Sequence, residues 1–133
     1  MEDWKLKNSV LWLFLAVTMV ANTMLYFLVP GVIDEIRAGE IVGMPAGHGL
    51  LLFMAITYFW VPLVMAVLSL TLKYKANRWA NVILGIFYVG FILFELTMNV
   101  TTVAYPYVML MDISAVVAAA LIVRYAWKSK QKA

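Results

Sequence analysis

Four long runs of uncharged, mostly apolar residues follow one another along the chain, and short stretches between them hold nearly all the charges. The first run covers about residues 9–29 and the second about 49–72. The third and fourth are joined, because only Glu95 and Asp112 are charged between residues 79 and 123. One helix of about 45 residues would be about 67 Å long, more than twice the hydrocarbon thickness of a membrane. We therefore predict two helices, at about 79–103 and 106–127, with a turn at Tyr105-Pro106-Tyr107.

Each run is long enough to cross a membrane, since about 20 apolar residues in a helix span the hydrocarbon. Hydrophobic residues make up 65% of the chain and charged residues 13%. A soluble domain is about half apolar and a quarter charged. A chain of 133 residues cannot bury the excess within itself. We predict an all-α fold, an integral membrane four-helix bundle that forms a single domain over residues 1–133.

The connections between the runs carry local signals. Val32, Ile33 and Ile36 lie at helical spacing among charged residues, which favours a short interfacial helix between spans one and two. A solvated loop is the alternative. Pro62 falls inside the second run, and proline lacks the backbone N–H that would bond the carbonyl of Tyr58. We therefore expect a bend there. Asn77 is predicted to cap the start of the third helix.

Lysine and arginine collect at alternate ends of the runs. The positive-inside rule then places both termini and loop 73–78 in the cytoplasm of a cell-membrane protein, with loops 30–48 and 104–106 outside. Of the two outer loops, only loop 30–48 contains a lysine or arginine, which is Arg37. The residues that define the inner side are Lys5, Lys7, Lys73, Lys75, Arg78, Arg124, Lys128, Lys130 and Lys132.

Segments along nearly the whole chain resemble a family of small four-span prokaryotic membrane proteins that carries a domain-of-unknown-function label. More loosely, the chain resembles the DoxX-like four-span proteins, some of which are linked to quinone-dependent respiratory complexes. The resemblance implies the four-span fold and supplies no catalytic residues. It is carried by Leu11-Trp12-Leu13-Phe14, by Pro30-Gly31-Val32-Ile33-Asp34-Glu35-Ile36, by residues 73–81 and by Arg124-Tyr125-Ala126-Trp127-Lys128.

Glu95 and Asp112 are the only carboxylates inside the apolar runs. An ionisable group at membrane depth costs about 2.5–3.5 kcal/mol on insertion scales, so both should face the bundle interior or a cavity. From the helical rise, Glu95 lies about 15 Å, Asn22 about 12 Å and Asp112 about 10 Å from the outer edge. Because no lysine or arginine lies in the spans at that depth, we expect Glu95 to be protonated for much of the time.

These groups define a candidate substrate- or ion-binding site. Asn99 follows Glu95 by one helical turn and shares its face with Thr102. His48 enters from the outer end of the second run. The alternative for Asn22 and the threonines is interhelical hydrogen bonding, and the alternative for His48 is an interfacial loop. The candidate residues are Glu95, Asn99, Asp112, Asn22 and His48.

Several classes of chemistry lack the residues they need. The chain has no cysteine, which excludes disulfides and cysteine-ligated clusters, and one histidine, which excludes bis-histidine haem ligation within a chain. No close-spaced ligand pair, nucleophile elbow, phosphate loop or dinucleotide fingerprint occurs. We predict a protein that is not an enzyme, with no metal and no cofactor. Its basic residues are expected to set topology and contact anionic membrane lipids rather than nucleic acid.

Three functions remain open. A small transporter or channel-like protein would use Glu95 to exchange a proton or cation. An accessory or structural membrane subunit would need no chemistry, and a quinone- or lipid-binding membrane protein would agree with the DoxX-like resemblance. Four spans make a thin bundle, so we expect a homo-oligomer. The small residues Ser114, Ala115, Ala118 and Ala119 would permit close helix contact within or between chains.

Overall fold

The computed structural model describes residues 2–41, 43–102 and 106–130, and the side chains of residues 99–102 are not among the described atoms. Helix α1 is followed by a short helix α2 and by two antiparallel strands, in which Glu40 pairs with Pro45 and Ile41 with Met44. The second long helix has three parts: α3, a π-helical turn and α4. The bounds are α1 Asp3–Phe27, α2 Val32–Arg37, β1 Glu40–Ile41, β2 Met44–Pro45, α3 His48–Met54, the π turn Ala55–Trp60, α4 Val61–Thr71, α5 Tyr74–Thr102 and α6 Pro106–Trp127.

The described chain contains four helices that are long and apolar enough to cross a membrane. This confirms a mostly helical chain with four long helices, and the short helix expected after Pro30-Gly31 is present as α2, whereas the two short strands were not predicted. Two of the long helices begin earlier than the apolar pattern predicted. Helix α1 starts at Asp3 and α5 at Tyr74, because a helix continues into polar sequence beyond the part that hydropathy marks.

Helix α1 lies at the centre of the packing. It packs along both α4 and α6, and α6 also packs along α5, whereas α4 and α5 meet over a smaller area. Many large apolar side chains on the outside of the bundle are exposed, among them Val17, Leu52 and Phe94. A surface of this kind is suited to lipid rather than to water. The shared core contains Trp12, Leu15, Met19, Met65, Ala66, Tyr88, Ile92, Ala115, Ala119 and Ile122.

Helices α5 and α6 approach closely at Gly85. A Cβ atom placed on Gly85 would lie 2.6 Å from Cγ2 of Val123. On α6, Ala115, Ala118 and Ala119 are all buried within the chain. The close contact predicted for these small residues is therefore made inside one chain. Association with a second chain stays a prediction.

Alanine at Gly85 is expected to lower the free energy of unfolding by about 1 kcal/mol, because the added methyl must displace Val123. The matched control is Gly90→Ala on the same helix. A Cβ at Gly90 meets nothing within 4 Å, so that variant should be as stable as wild type or slightly more stable. Thermal unfolding of both variants in detergent micelles measures the difference. Equal stabilities would contradict the close packing.

A buried polar network near one end of the bundle was not predicted from the sequence. This end of the bundle carries residues 2 and 130, the first and the last that the structure describes. Oδ1 of Asn81 accepts hydrogen bonds from Asn8 (3.2 Å), from the Trp12 indole (2.8 Å) and from Ser69 (3.2 Å). Nδ2 of Asn81 donates to Oδ1 of Asn77 at 2.7 Å. We call these five residues the asparagine network. It links α1, α4 and α5, and Asn8 also donates to a carbonyl of α6.

Asn77 has a different role from the one predicted. Helix α5 already begins at Tyr74, so Asn77 is not at its N-cap. Its side-chain amide donates instead to the carbonyls of Ser69 (2.8 Å) and Leu72 (3.4 Å) at the end of α4. Asn77 thus satisfies carbonyls that the helix end leaves without a partner.

Candidate functional site

Glu95 projects from α5 towards the second long helix. Its carboxyl oxygen Oε1 accepts a hydrogen bond from the hydroxyl of Tyr58, which lies in the π turn. The Tyr58 ring also packs against Phe91, one helical turn before Glu95, with 5.9 Å between ring centroids. Glu95 is partly buried in this position. It faces a polar neighbour across the bundle rather than lipid alone.

Asp112 lies deeper in the packing and is 1% exposed. Its Oδ1 accepts a hydrogen bond of 2.8 Å from Nδ2 of Asn22, which joins α6 to α1. The amide oxygen Oδ1 of Asn22 is itself buried and has no donor among the described atoms. An acceptor left in this way is available to a water molecule or to another small donor.

Glu95 lies ten residues after Gly85 on α5, and Asp112 lies ten residues before Ile122 on α6. A Cβ atom on Gly85 would lie 3.5 Å from the Ile122 side chain, and Arg78 bonds to the carbonyl of Ala126, so the helices are antiparallel and both carboxyl groups lie at the same level of the bundle. Each of the four long helices contributes one polar side chain at this level: Asn22, Tyr58, Glu95 and Asp112, which we call the carboxyl site. The surrounding helices lack compensating cations. The sequence contains no lysine or arginine between residues 79 and 123, and between residues 8 and 72 it contains only Arg37.

The π turn sets the direction of Tyr58. In this turn the backbone N–H of Val61 donates to the carbonyl of Ile56, five residues back, instead of to Thr57. The next N–H that Thr57 could use would come from Pro62, which has none. The hydroxyl of the buried Tyr88 donates to the Thr57 carbonyl and so replaces the missing helical bond.

The distortion expected from Pro62 is therefore present, but it takes the form of a π turn. The carbonyl that receives a side-chain hydrogen bond is that of Thr57, one residue before the predicted Tyr58. The difference arises because the extra residue in the turn shifts the backbone bonding by one position. Single π turns of this kind are frequent at functional sites, and this one carries a residue of the carboxyl site.

The structure brings together three of the five predicted site residues, Glu95, Asp112 and Asn22. The side chain of Asn99 lies outside the described residues, as do that of Thr102 and the turn predicted at Tyr105. His48 is exposed at the first residue of α3, and no contact joins it to the carboxyl site in the described part of the chain. Tyr58 was not predicted as a site residue. The signal for it in the sequence was its position four residues before Pro62, where the helix bonding is disturbed.

Both carboxyl groups of the site act as hydrogen-bond acceptors. Both hydrogen bonds described above are donated to the carboxyl groups, by a hydroxyl and by an amide. Within residues 2–41, 43–102 and 106–130, no group of three or more His, Asp or Glu is placed to hold a metal ion. Each of the two carboxyl groups can take up or release a proton.

No curated protein and no solved structure matches the chain. One family model does match, over residues 2–133, and its description is a family of unknown function, DUF6326. The match extends over all four long helices and the carboxyl site between them. The chain belongs to this DUF6326 family.

Proposed function

We propose that this chain is a small transporter or channel-like membrane protein that moves protons through the carboxyl site. The observation that carries the proposal is that Glu95 and Asp112 lie at the same level of neighbouring helices and that each carboxyl group bonds to a polar side chain of another long helix. A site used only to hold two helices together would need one hydrogen bond between those two. Here all four helices meet at groups that can gain and lose a proton.

Electrostatics supports a proton in this site. Two ionised carboxylates side by side repel each other, and each has lost hydration inside the bundle at a cost of several kcal/mol. The sequence supplies no lysine or arginine in these parts of the helices to offset the charge, except Arg37 in α2. One proton shared by the pair removes most of the repulsion. Its release and return then change the charge of the site by one unit.

The position of the site gives the proton an entry. Asp112 lies six residues after the start of α6, about 9 Å along the helix from the end of the bundle that also carries α2 and the strands. By the lysine and arginine distribution this end faces outside the cell. The way onward runs between α4 and α5, where the helices touch least and where the π turn interrupts regular bonding.

A flux measurement tests the proposal. The protein would be reconstituted into vesicles that enclose a pH-sensitive dye, and a pH gradient would be imposed. Wild-type vesicles are expected to lose the gradient faster than vesicles without protein. The double variant with Glu95→Gln and Asp112→Asn keeps the shapes and hydrogen-bond acceptors of both side chains but cannot titrate, so its rate should match protein-free vesicles. A wild-type rate equal to that background, or a double variant as fast as wild type, contradicts the proposal.

Alanine at Pro62 is expected to slow proton flux by about threefold while the protein stays at least as stable. The restored N–H allows regular α-helical bonding through the π turn. When the turn changes from π-helical to α-helical bonding, Tyr58 rotates by about 100° about the helix axis relative to α4 and moves away from Glu95. Flux and thermal unfolding are measured together. Pro45→Ala in strand β2 is the matched control and should leave flux unchanged. Equal flux in all three proteins would show that the π turn does not serve the site.

A further inference from the structure

A groove lies at the end of the bundle opposite the carboxyl site, between the first turns of α1 and the end of α6. Charges of both signs line it. Lysines come from both helices, Lys7 from α1 and Lys128 and Lys130 after α6, and carboxylates come from Glu2 and Asp3. Oε2 of Glu2 lies 3.4 Å from Nζ of Lys5, so part of its charge is already balanced. Asp3 and the three lysines are exposed.

One wall of the groove contains a buried donor without an acceptor. Trp4 lines the groove and is only 9% exposed, yet its indole N–H has no hydrogen-bond partner among the described residues. Its ring is fixed edge-on against Tyr74, with 6.1 Å between centroids. A buried N–H normally finds an acceptor, and leaving it without one costs about 1–3 kcal/mol.

The groove also lies at the level expected for lipid head groups. Trp79 and Trp127 pack edge to face at the same end, with 6.4 Å between centroids, and Arg78 lies 5.4 Å from the Trp127 ring. Tryptophan and tyrosine gather at the membrane–water interface, where a basic residue can reach the phosphates. Nζ of Lys7 lies 5.2 Å from the centroid of the Tyr125 ring, so a cationic and an aromatic residue of the groove are in contact.

We infer that this groove binds the head group of a zwitterionic phospholipid that has a phosphodiester and a primary amine, as in phosphatidylethanolamine. Lysines 128 and 130 are donors only, and a phosphodiester is an acceptor only. Asp3 is an acceptor, and a primary ammonium group is a donor. A purely anionic head group would leave Asp3 facing negative charge, and a trimethylated amine could not donate to it.

Native mass spectrometry of the full chain with defined lipids tests this inference. Phosphatidylethanolamine should be retained about fivefold more than phosphatidylglycerol or phosphatidylcholine. The double variant Lys128→Gln, Lys130→Gln should lose about the same factor in retention. Trp4→Phe, which leaves a smaller ring in the wall of the groove and removes the indole N–H, should also retain less. The matched control is Lys73→Gln, Lys75→Gln, two basic residues of the loop before α5 that do not line the groove, and its retention should equal that of wild type.

Three results would overturn the inference. They are equal retention of phosphatidylethanolamine by wild type and the Lys128, Lys130 variant, retention of phosphatidylglycerol above phosphatidylethanolamine, and equal retention of phosphatidylcholine and phosphatidylethanolamine. Thermal unfolding of each variant shows whether it is folded. If Trp4→Phe does not fold, the lysine variants still test the inference. Because the carboxyl site is at the other end, proton flux can fail or succeed independently of this result.

Discussion

Leucine in place of Asn81 is expected to lower the free energy of unfolding by about 3 kcal/mol. Its Oδ1 is the common acceptor for donors from Asn8, Trp12 and Ser69, and each of these side chains is fully buried. Interhelical hydrogen bonds of membrane proteins contribute about 0.6 kcal/mol each on average and up to about 1.7 kcal/mol. Removing the acceptor breaks three of them at once and leaves the Trp12 indole N–H and the Ser69 hydroxyl buried without the partner they have here, while Asn8 keeps its bond to the carbonyl of Ile122.

The measurement is unfolding in mixed micelles, followed by circular dichroism as denaturing detergent is added. Ser114→Ala is the matched control, because the Ser114 hydroxyl bonds only to the carbonyl of Leu110 in its own helix, at 2.9 Å. That variant should stay within about 0.5 kcal/mol of wild type. If Asn81→Leu also stayed within that range, the asparagine network would not be what holds α1, α4 and α5 together.

Glutamine in place of Glu95 is expected to reduce proton flux by about tenfold, which corresponds to about 1.4 kcal/mol in the barrier. The amide oxygen of glutamine still accepts the hydrogen bond from Tyr58, so packing is retained and the melting temperature should not change. What is lost is the ability to take up and release a proton. The vesicle assay described above measures flux, and a thermal melt of the same preparation measures stability.

Glu35→Gln provides the matched control, since Glu35 is an exposed carboxylate on the short helix α2. Its flux should equal that of wild type. Unchanged flux in Glu95→Gln would mean that Glu95 serves packing alone. If the melting temperature and the flux of Glu95→Gln both fell, Glu95 would likewise serve packing.

The four long helices were predictable from sequence because each is a run of about 20 apolar residues, and little else in a chain of this length produces such runs. Their true starts were not, because Asp3 and Lys75 look like loop residues when only hydropathy is considered. The depths of Glu95 and Asp112 followed from counting residues along a helix. Their partners did not follow, because the contact of Asn22 with Asp112 depends on how α1 and α6 rotate against each other.

The π turn and the asparagine network escaped prediction for two different physical reasons. The sequence shows that Pro62 lacks an N–H, but the choice between a kink and a π turn depends on a donor from another helix, the Tyr88 hydroxyl. Asn8, Asn77 and Asn81 stand at the ends of apolar runs, where polar residues are ordinary and usually solvated. Only the packed bundle shows that all three are fully buried.

Proton transfer through the carboxyl site requires that Glu95 or Asp112 carries a proton at neutral pH. Infrared spectroscopy of the protein in lipid bilayers at neutral pH tests it most directly, because a protonated carboxyl group has a C=O stretching band that an ionised carboxylate lacks. We expect this band in wild type, and we expect it to be absent from the variant that carries Glu95→Gln and Asp112→Asn. A wild-type spectrum without a protonated-carboxyl band, or with one that the double variant retains, would contradict the account.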